Sequence, residues 1–257
     1  MVYDLHIGID YSGAKTPISR LKGLQVYVSE SGQNPSQIKS LSSKSGKPCN
    51  WTRKEIAHWL VEIARGGQQF IAGIDHAFSF PQSYFQRYQL KTWDAFLLDF
   101  CETWPTHEPH RSVDQIRDAG PTRTGSSDEF RITERWTSSA KSVFRFDVQG
   151  QVAKSTHAGI PWLHHVRQQA GGRIHFWPFD GWEVPEDKCI LAEVYPSVFR
   201  KRYPRNGRSP DQQDAFATAY WLADMERRGC LDRYLSPPLT EKERRVADYE
   251  GWILGAT

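Results

Sequence analysis

The hexapeptide Phe-Ile-Ala-Gly-Ile-Asp at residues 70–75 decides the fold, because it is a short apolar run that ends in an aspartate. Such a run is typical of a strand buried on both faces of a sheet. A helix is predicted before it, since Thr52 and Glu55 match a capping box, apolar residues recur at helical spacing from Ile56, and Gly66-Gly67 ends the pattern. A strand that follows a helix in this way indicates a parallel crossover.

The first strand is predicted upstream, at residues 3–10, where apolar residues alternate and an aspartate again ends the pattern. A second strand is predicted at residues 24–28. The following stretch is rich in Ser, Lys and Gly, and it forms either a third short strand at residues 38–41 or a loop. Asp10 and Asp75 therefore end two separate strands. In open α/β sheets, ligands bind beyond the carboxyl ends of the strands, so these acids are the first functional signal.

Downstream, residues 189–195 predict another core strand, which contains Glu193 and is stopped by a proline. Ser209 and Pro210 then predict the start of a long helix that continues to about Arg228. We expect residues 1–257 to form a single α/β domain. Residues 82–187 are expected to form an insertion or lid within it, with helices at residues 93–103 and 161–169.

The long helix carries the second pair of acids. Asp211 and Asp214 are three residues apart and are therefore neighbours on one helical face. That face continues as an apolar stripe through Ala215, Thr218 and Leu222, so the two acids point toward the sheet. Each acid alone has an ordinary explanation, such as a favourable interaction with the helix dipole or a cap on a turn. Several acids together in an apolar setting are better explained by a bound cation.

Oxygen ligands from three or more carboxylates suit Mg²⁺ or Mn²⁺. Two such ions about 3.5–4 Å apart can activate water and stabilise the leaving oxygen of a phosphodiester. In this interpretation Asp10 bridges both ions, Asp75 holds the ion on the leaving-group side, and Asp214 with Asp211 holds the ion that carries the attacking water. Glu193 is a candidate fifth metal ligand or a partner of the ligands.

A family resemblance rests on these motifs. Gly8-Ile9-Asp10, Gly73-Ile74-Asp75 and the Asp-x-x-Asp-Ala helix at residues 211–215 resemble the acidic motifs of the ribonuclease-H-like superfamily, and the helix is similar to that of its Holliday-junction resolvases. With Phe-Ser-Phe-Pro at residues 78–81 and Glu-Val-Tyr-Pro at residues 193–196, the pattern resembles an uncharacterised family of predicted nucleases, the domain of unknown function four-two-nine. The resemblance implies a mixed five-stranded sheet with the first strand central, flanked by helices, and metal-dependent hydrolysis of nucleic acid. Resolvases have Glu where Asp75 lies here.

Two further stretches of the predicted insertion are rich in polar side chains. Lys154, Ser155 and His157 are candidate substrate-binding residues that either grip a phosphate or belong to a solvated turn. The segment from Gly150 fails the nucleotide-binding loop pattern, because Ala153 replaces a required glycine. The charged residues of segment 131–135 predict a surface set of salt bridges.

Composition limits the remaining possibilities. The net charge of +3 neither reveals nor excludes a nucleic-acid binder. The four cysteines form no Cys-x-x-Cys pair, which favours a reduced, cytoplasmic protein. No apolar run is long enough to predict a membrane helix. We expect a metal-dependent nuclease with nucleic acid, DNA or RNA, as its partner; a dimer would suit a junction substrate. The alternatives are an ATP-dependent phosphotransferase of the actin and sugar-kinase type, or a non-catalytic nucleic-acid-binding module.

Overall fold

The computed structural model of the chain describes residues 3–42, 45–137, 139–146 and 152–256. Within these ranges the strands, in chain order, are β1 (Leu5–Asp10), β2 (Gln25–Glu30), β3 (Ser36–Ile38), β4 (Ser40–Leu41), β5 (Pro48–Cys49), β6 (Phe70–Asp75), β7 (Ile174–Trp177), β8 (Cys189–Val194) and β9 (Ile253–Leu254). The helices are α1 (Arg53–Arg65), α2 (Gln82–Arg87), α3 (Trp93–Thr103), α4 (Val113–Asp118), α5 (Ile132–Trp136), α6 (Val152–Gln169), α7 (Pro210–Arg227), α8 (Leu231–Leu235) and α9 (Glu241–Glu250). Short 3₁₀ helices lie at Pro196–Val198 and Arg200–Arg202.

The main sheet is mixed and has seven strands among the described residues, in the order β3-β2-β1-β6-β8-β7, with β9 paired to the end of β8. β2 is antiparallel to both β1 and β3, whereas β1, β6, β8 and β7 run parallel. A mixed sheet flanked by helices is confirmed, and the first strand lies in its interior. The expected number of five strands is wrong, because β7, with four residues, and β9, with two, also join the sheet.

Helices cover both faces of this sheet. α1, α3 and α6 pack with Ile7, Ile9 and Ile74 in one large apolar core. On the opposite face, α7 lies across β1, β2 and β6, and its apolar residues join Ile71 and Ile190 in a second core. The alternation of side chains along each strand therefore divides the interior into two layers.

Local sequence patterns correctly predict several of these elements. The Thr52 hydroxyl accepts a hydrogen bond from the Glu55 amide (3.1 Å), and the Glu55 carboxylate accepts one from the Thr52 amide (3.0 Å). This capping box starts α1, and Gly66 follows its last residue. Ser209 caps α7 in the same way, with Pro210 in the first turn. The predicted limits of α3, residues 93–103, are confirmed.

Most of residues 82–187, the segment predicted to be an insertion or lid, packs against the sheet or belongs to it. α3 and α6 are packed into the first core, and β7 belongs to the main sheet. α6 begins at Val152 rather than at Pro161, which lies inside the helix. An internal proline costs about 3 kcal/mol, but burial of Ile160 before it and of Leu163 after it favours helix on both sides. Residues 154–157 are therefore helical, while Gly150 lies outside the described residues.

None of the helices described is long and apolar enough to cross a lipid bilayer.

Candidate metal centre

Asp10 and Asp75 lie side by side at the carboxyl ends of two neighbouring parallel strands. They are direct partners in the register of β1 and β6, and Gly8 and Gly73 are partners two residues earlier. Because side chains alternate along a strand, each aspartate projects from the same face as its preceding glycine. That face is the one covered by α7.

The two glycines allow α7 to approach the sheet very closely. A Cβ atom added to Gly8 would lie 2.0 Å from the Ala215 carbonyl oxygen, and one added to Gly73 would lie 2.7 Å from the Thr218 methyl carbon. Any larger side chain would therefore displace the helix. Close contact brings the first turns of α7, which carry Asp211 and Asp214, against the ends of β1 and β6.

Asp10, Asp75 and Asp214 form a three-carboxylate cluster. One oxygen from each lies within 4.8 Å of the others, and all three side chains are partly buried. Arg200 contributes positive charge, since its Nη1 donates to both Asp214 oxygens at 2.8 and 3.1 Å. Arg200 is itself 40% exposed, so solvent weakens its compensation of the acids.

The electrostatics of the cluster favour a cation. Burial raises the pKa of the Asp10 carboxyl well above its ordinary value, and the neighbouring Asp75, Asp211 and Asp214 raise it further. Burial, followed by the charge of Asp214, likewise raises the pKa of Asp75. The pKa of Asp214 is raised by burial despite the opposing effect of Arg200. The charged forms are therefore under-compensated, and a divalent cation would stabilise them.

The cluster lies in a cleft of about 790 Å³. Asp211 lines this cleft without joining the three-carboxylate cluster. Basic and aromatic side chains share the lining with the acids, namely Arg117, Arg145, Lys154, Arg200, Tyr11, Phe146 and Tyr195. The cleft therefore combines a carboxylate centre with cations suited to an anionic substrate.

The predicted substrate-binding residues separate into two groups. Lys154 and Ser155 line the cleft, and the Lys154 ammonium is 2.5 Å from an Asp114 carboxylate oxygen. His157 lies in the core instead, where its Nδ1 donates to the Ala153 carbonyl (2.8 Å) and burial lowers its pKa to about 3. The expectation of a solvated polar turn is wrong, because all three residues belong to α6.

Glu193 is occupied by protein partners rather than placed in the carboxylate cluster. Its two oxygens accept hydrogen bonds from Arg131 at 2.5 and 2.7 Å, and one also accepts from the Phe78 amide at 3.0 Å. Arg131 also contacts Glu134 at 2.8 Å, and these three side chains are almost fully buried. The prediction of surface salt bridges at 131–135 is therefore wrong for Arg131 and Glu134, because contacts from α9, β8 and β9 cover this part of the segment.

Sequence reasoning missed two contributors to the centre. The first is the glycine of each Gly-Ile-Asp motif, whose position two residues before the aspartate is a readable sign of close helix packing on the face that carries the acid. The second is Arg200, which precedes Lys201 and Arg202 in a basic run that could have indicated a cation near the site.

The donor set fits a hard divalent cation, since it consists of carboxylate oxygens gathered at one point. Comparison of the chain with known protein families, with curated proteins and with solved structures found no match.

Proposed function

We propose that this protein is a metal-dependent nuclease that hydrolyses phosphodiester bonds of nucleic acid with Mg²⁺ or Mn²⁺. The observation that carries the proposal is the cluster of Asp10, Asp75 and Asp214, whose oxygens lie within 4.8 Å of one another at the ends of parallel strands. Asp211 lines the same cleft and joins them as a candidate catalytic residue. The acidic motifs, the mixed sheet and the interior first strand all agree with a ribonuclease-H-like fold.

Each group in the cleft has a chemical role in this proposal. The carboxylates would hold the divalent ions, which when bound supply charge stabilisation at the reacting phosphate and lower the pKa of water. Lys154 and Arg117 line the same cleft and would provide donors for the phosphate oxygens. Arg200 orients Asp214 through its two hydrogen bonds and offsets charge repulsion before an ion arrives.

The chemistry of the cysteines agrees with a cytoplasmic location. Cys49, Cys101, Cys189 and Cys230 are free thiols in the structure, which is the state expected in a reducing compartment. We therefore place the proposed reaction on cytoplasmic nucleic acid.

Cleavage of labelled DNA and RNA, as single strands, duplexes and branched junctions, tests the proposal. Wild type is expected to cut at least one substrate in Mg²⁺ or Mn²⁺ and none in EDTA, and Asp10→Asn or Asp214→Asn is expected to abolish cleavage. Asp187→Asn is the matched control, because this aspartate is 80% exposed and lies outside the cleft. Cleavage that survives both cluster substitutions, or ATP hydrolysis without cleavage of any nucleic acid, would reject the proposal.

A further inference from the structure

A second depression lies on the other side of the segment that carries Arg200. Two adjoining hollows of about 380 and 240 Å³ share Asn34, Tyr220, Asp224 and Arg227 in their linings and so form one groove. Arg200 and Pro210 line the acidic cleft, whereas Arg202 and Arg208, which lie between them in sequence, line this groove. The segment 200–210 therefore contributes to the walls of both depressions, and we call it the ridge and the second depression the arginine groove.

The charge of the arginine groove is opposite to that of the carboxylate centre. Its lining holds four arginines, 202, 208, 227 and 228, and one acid, Asp224. Asp224 is buried and holds two of them in place, with Arg228 at 2.9 Å and Arg227 as a second ion-pair partner. The acidic cleft, by contrast, is lined by five aspartates against four basic residues, so its carboxylate end repels a polyanion until a cation binds there. The groove is positive without metal.

Aromatic rings line the groove together with these arginines. Tyr203 and Tyr220 lie 4.8 Å apart, and Phe216 packs 5.8 Å from Tyr220, with all three rings partly exposed. The Arg208 guanidinium lies 3.5 Å from the centre of the Phe216 ring. Ring faces suit unstacked bases, and fixed arginines suit phosphates. A duplex hides its base faces, so this combination favours a single strand.

We propose that the arginine groove binds a single-stranded segment of nucleic acid that continues over the ridge into the acidic cleft. The direction of that continuation rests on the proposed nuclease function, but the binding itself does not. Four arginines give the electrostatic attraction, and Tyr220 with its neighbour Tyr203 provides the stacking surface. The substrate would thus have an unpaired portion next to the bond that is cut.

Binding in EDTA tests this inference apart from any cleavage. A fluorescent 20-nucleotide single strand, in DNA and RNA form, and the matching duplexes are titrated with protein at several salt concentrations, and anisotropy is recorded. Arg202→Gln/Arg227→Gln is expected to weaken single-strand binding at least tenfold and to lower the salt slope by about 1.4, since each phosphate contact contributes about 0.7 for single strands. Tyr220→Leu is expected to weaken binding about fivefold or more.

The matched control is Arg65→Gln/Arg233→Gln, which removes the same charge from two exposed arginines outside both depressions. Equal loss of binding in the control and groove variants would overturn the inference. Duplex binding as tight as single-strand binding would overturn it as well, and so would equal affinity for polyglutamate. If the protein cleaves nucleic acid with metal but the groove substitutions leave binding unchanged, only this inference is rejected. If the groove substitutions weaken binding but no cleavage occurs, only the proposed nuclease function is rejected.

Discussion

Replacing Asp75 with asparagine is expected to make the metal-free protein more stable. Asp75 lies within 4.8 Å of both Asp10 and Asp214, and two like charges at that distance repel by about 3 kcal/mol in an effective dielectric of about 20. Arg200 and partial protonation offset part of this repulsion. Asparagine keeps the shape of the side chain, so we expect a net gain of about 1–2 kcal/mol in the free energy of unfolding, or roughly 2–8 °C in Tm.

The stability gained by Asp75→Asn over the wild type is expected to increase with pH. The pKa of Asp75 is raised in the folded protein above its usual value of 3.8. Below that usual value the carboxyl is protonated in both folded and unfolded chains, so wild type and Asp75→Asn should have equal stability. As pH rises through the raised folded pKa, the wild type loses stability, because the Asp75 carboxyl ionises less readily in the folded protein than in the unfolded chain. The difference should be largest near neutral pH.

Urea unfolding in EDTA, followed by tryptophan fluorescence from pH 4 to 8, measures this difference. Asp187→Asn is the control, and its exposed side chain is expected to leave the urea midpoint unchanged. Adding Mg²⁺ or Mn²⁺ should then stabilise the wild type and leave Asp75→Asn nearly unaffected, because the ion binds the folded state through this carboxylate. A metal-free variant that is less stable than wild type at every pH would refute the electrostatic reasoning.

Three further substitutions test the surroundings of the centre. Gly8→Ala places a Cβ 2.0 Å from the Ala215 carbonyl oxygen, so it should lower the free energy of unfolding in urea by about 1–3 kcal/mol. It should also reduce the Mn²⁺-induced rise in Tm, and an unchanged rise would contradict the packing argument. Glu193→Gln leaves the charge of the buried Arg131 less compensated, so it should lower the free energy of unfolding by about 3–5 kcal/mol, while the metal-induced rise in Tm persists. A loss below about 1 kcal/mol would contradict a structural role for this ion pair. Lys154→Ala removes a cation from the cleft and should raise KM severalfold at similar kcat; unchanged KM and rate would exclude a phosphate-binding role.

The sequence predicts those parts of the molecule that local patterns control. The capping box at Thr52 and the apolar run at residues 70–75 depend on neighbours in the chain, and both elements occur where expected. The two strands that end in aspartate are also local features. Since the carboxyl ends of parallel strands meet at one edge, the proximity of Asp10 and Asp75 follows from them.

Other features depend on contacts that are distant in sequence. In the sequence Glu193 is a candidate metal ligand, but in the structure it is bound by Arg131, which is 62 residues away. In the sequence His157 resembles a polar loop residue, but in the structure it is buried in the core. Its ring centre lies 4.4 Å from that of Trp104. No periodicity marks such pairs in advance, because the partner of a buried polar group is chosen by tertiary packing.

The contrast between the buried Glu193 and the partly buried carboxylate cluster bears most directly on function. Both oxygens of Glu193 are hydrogen-bonded to a buried arginine, as expected of an acid with a structural role. At the ends of β1 and β6, three carboxylates lie close together, and among the described contacts only the partly exposed Arg200 forms an ion pair with one of them, Asp214. Gly8 and Gly73 hold α7 close enough to maintain that excess of negative charge. An arrangement that concentrates uncompensated oxygen ligands in an open cleft is poorly suited to stability and well suited to holding a divalent cation.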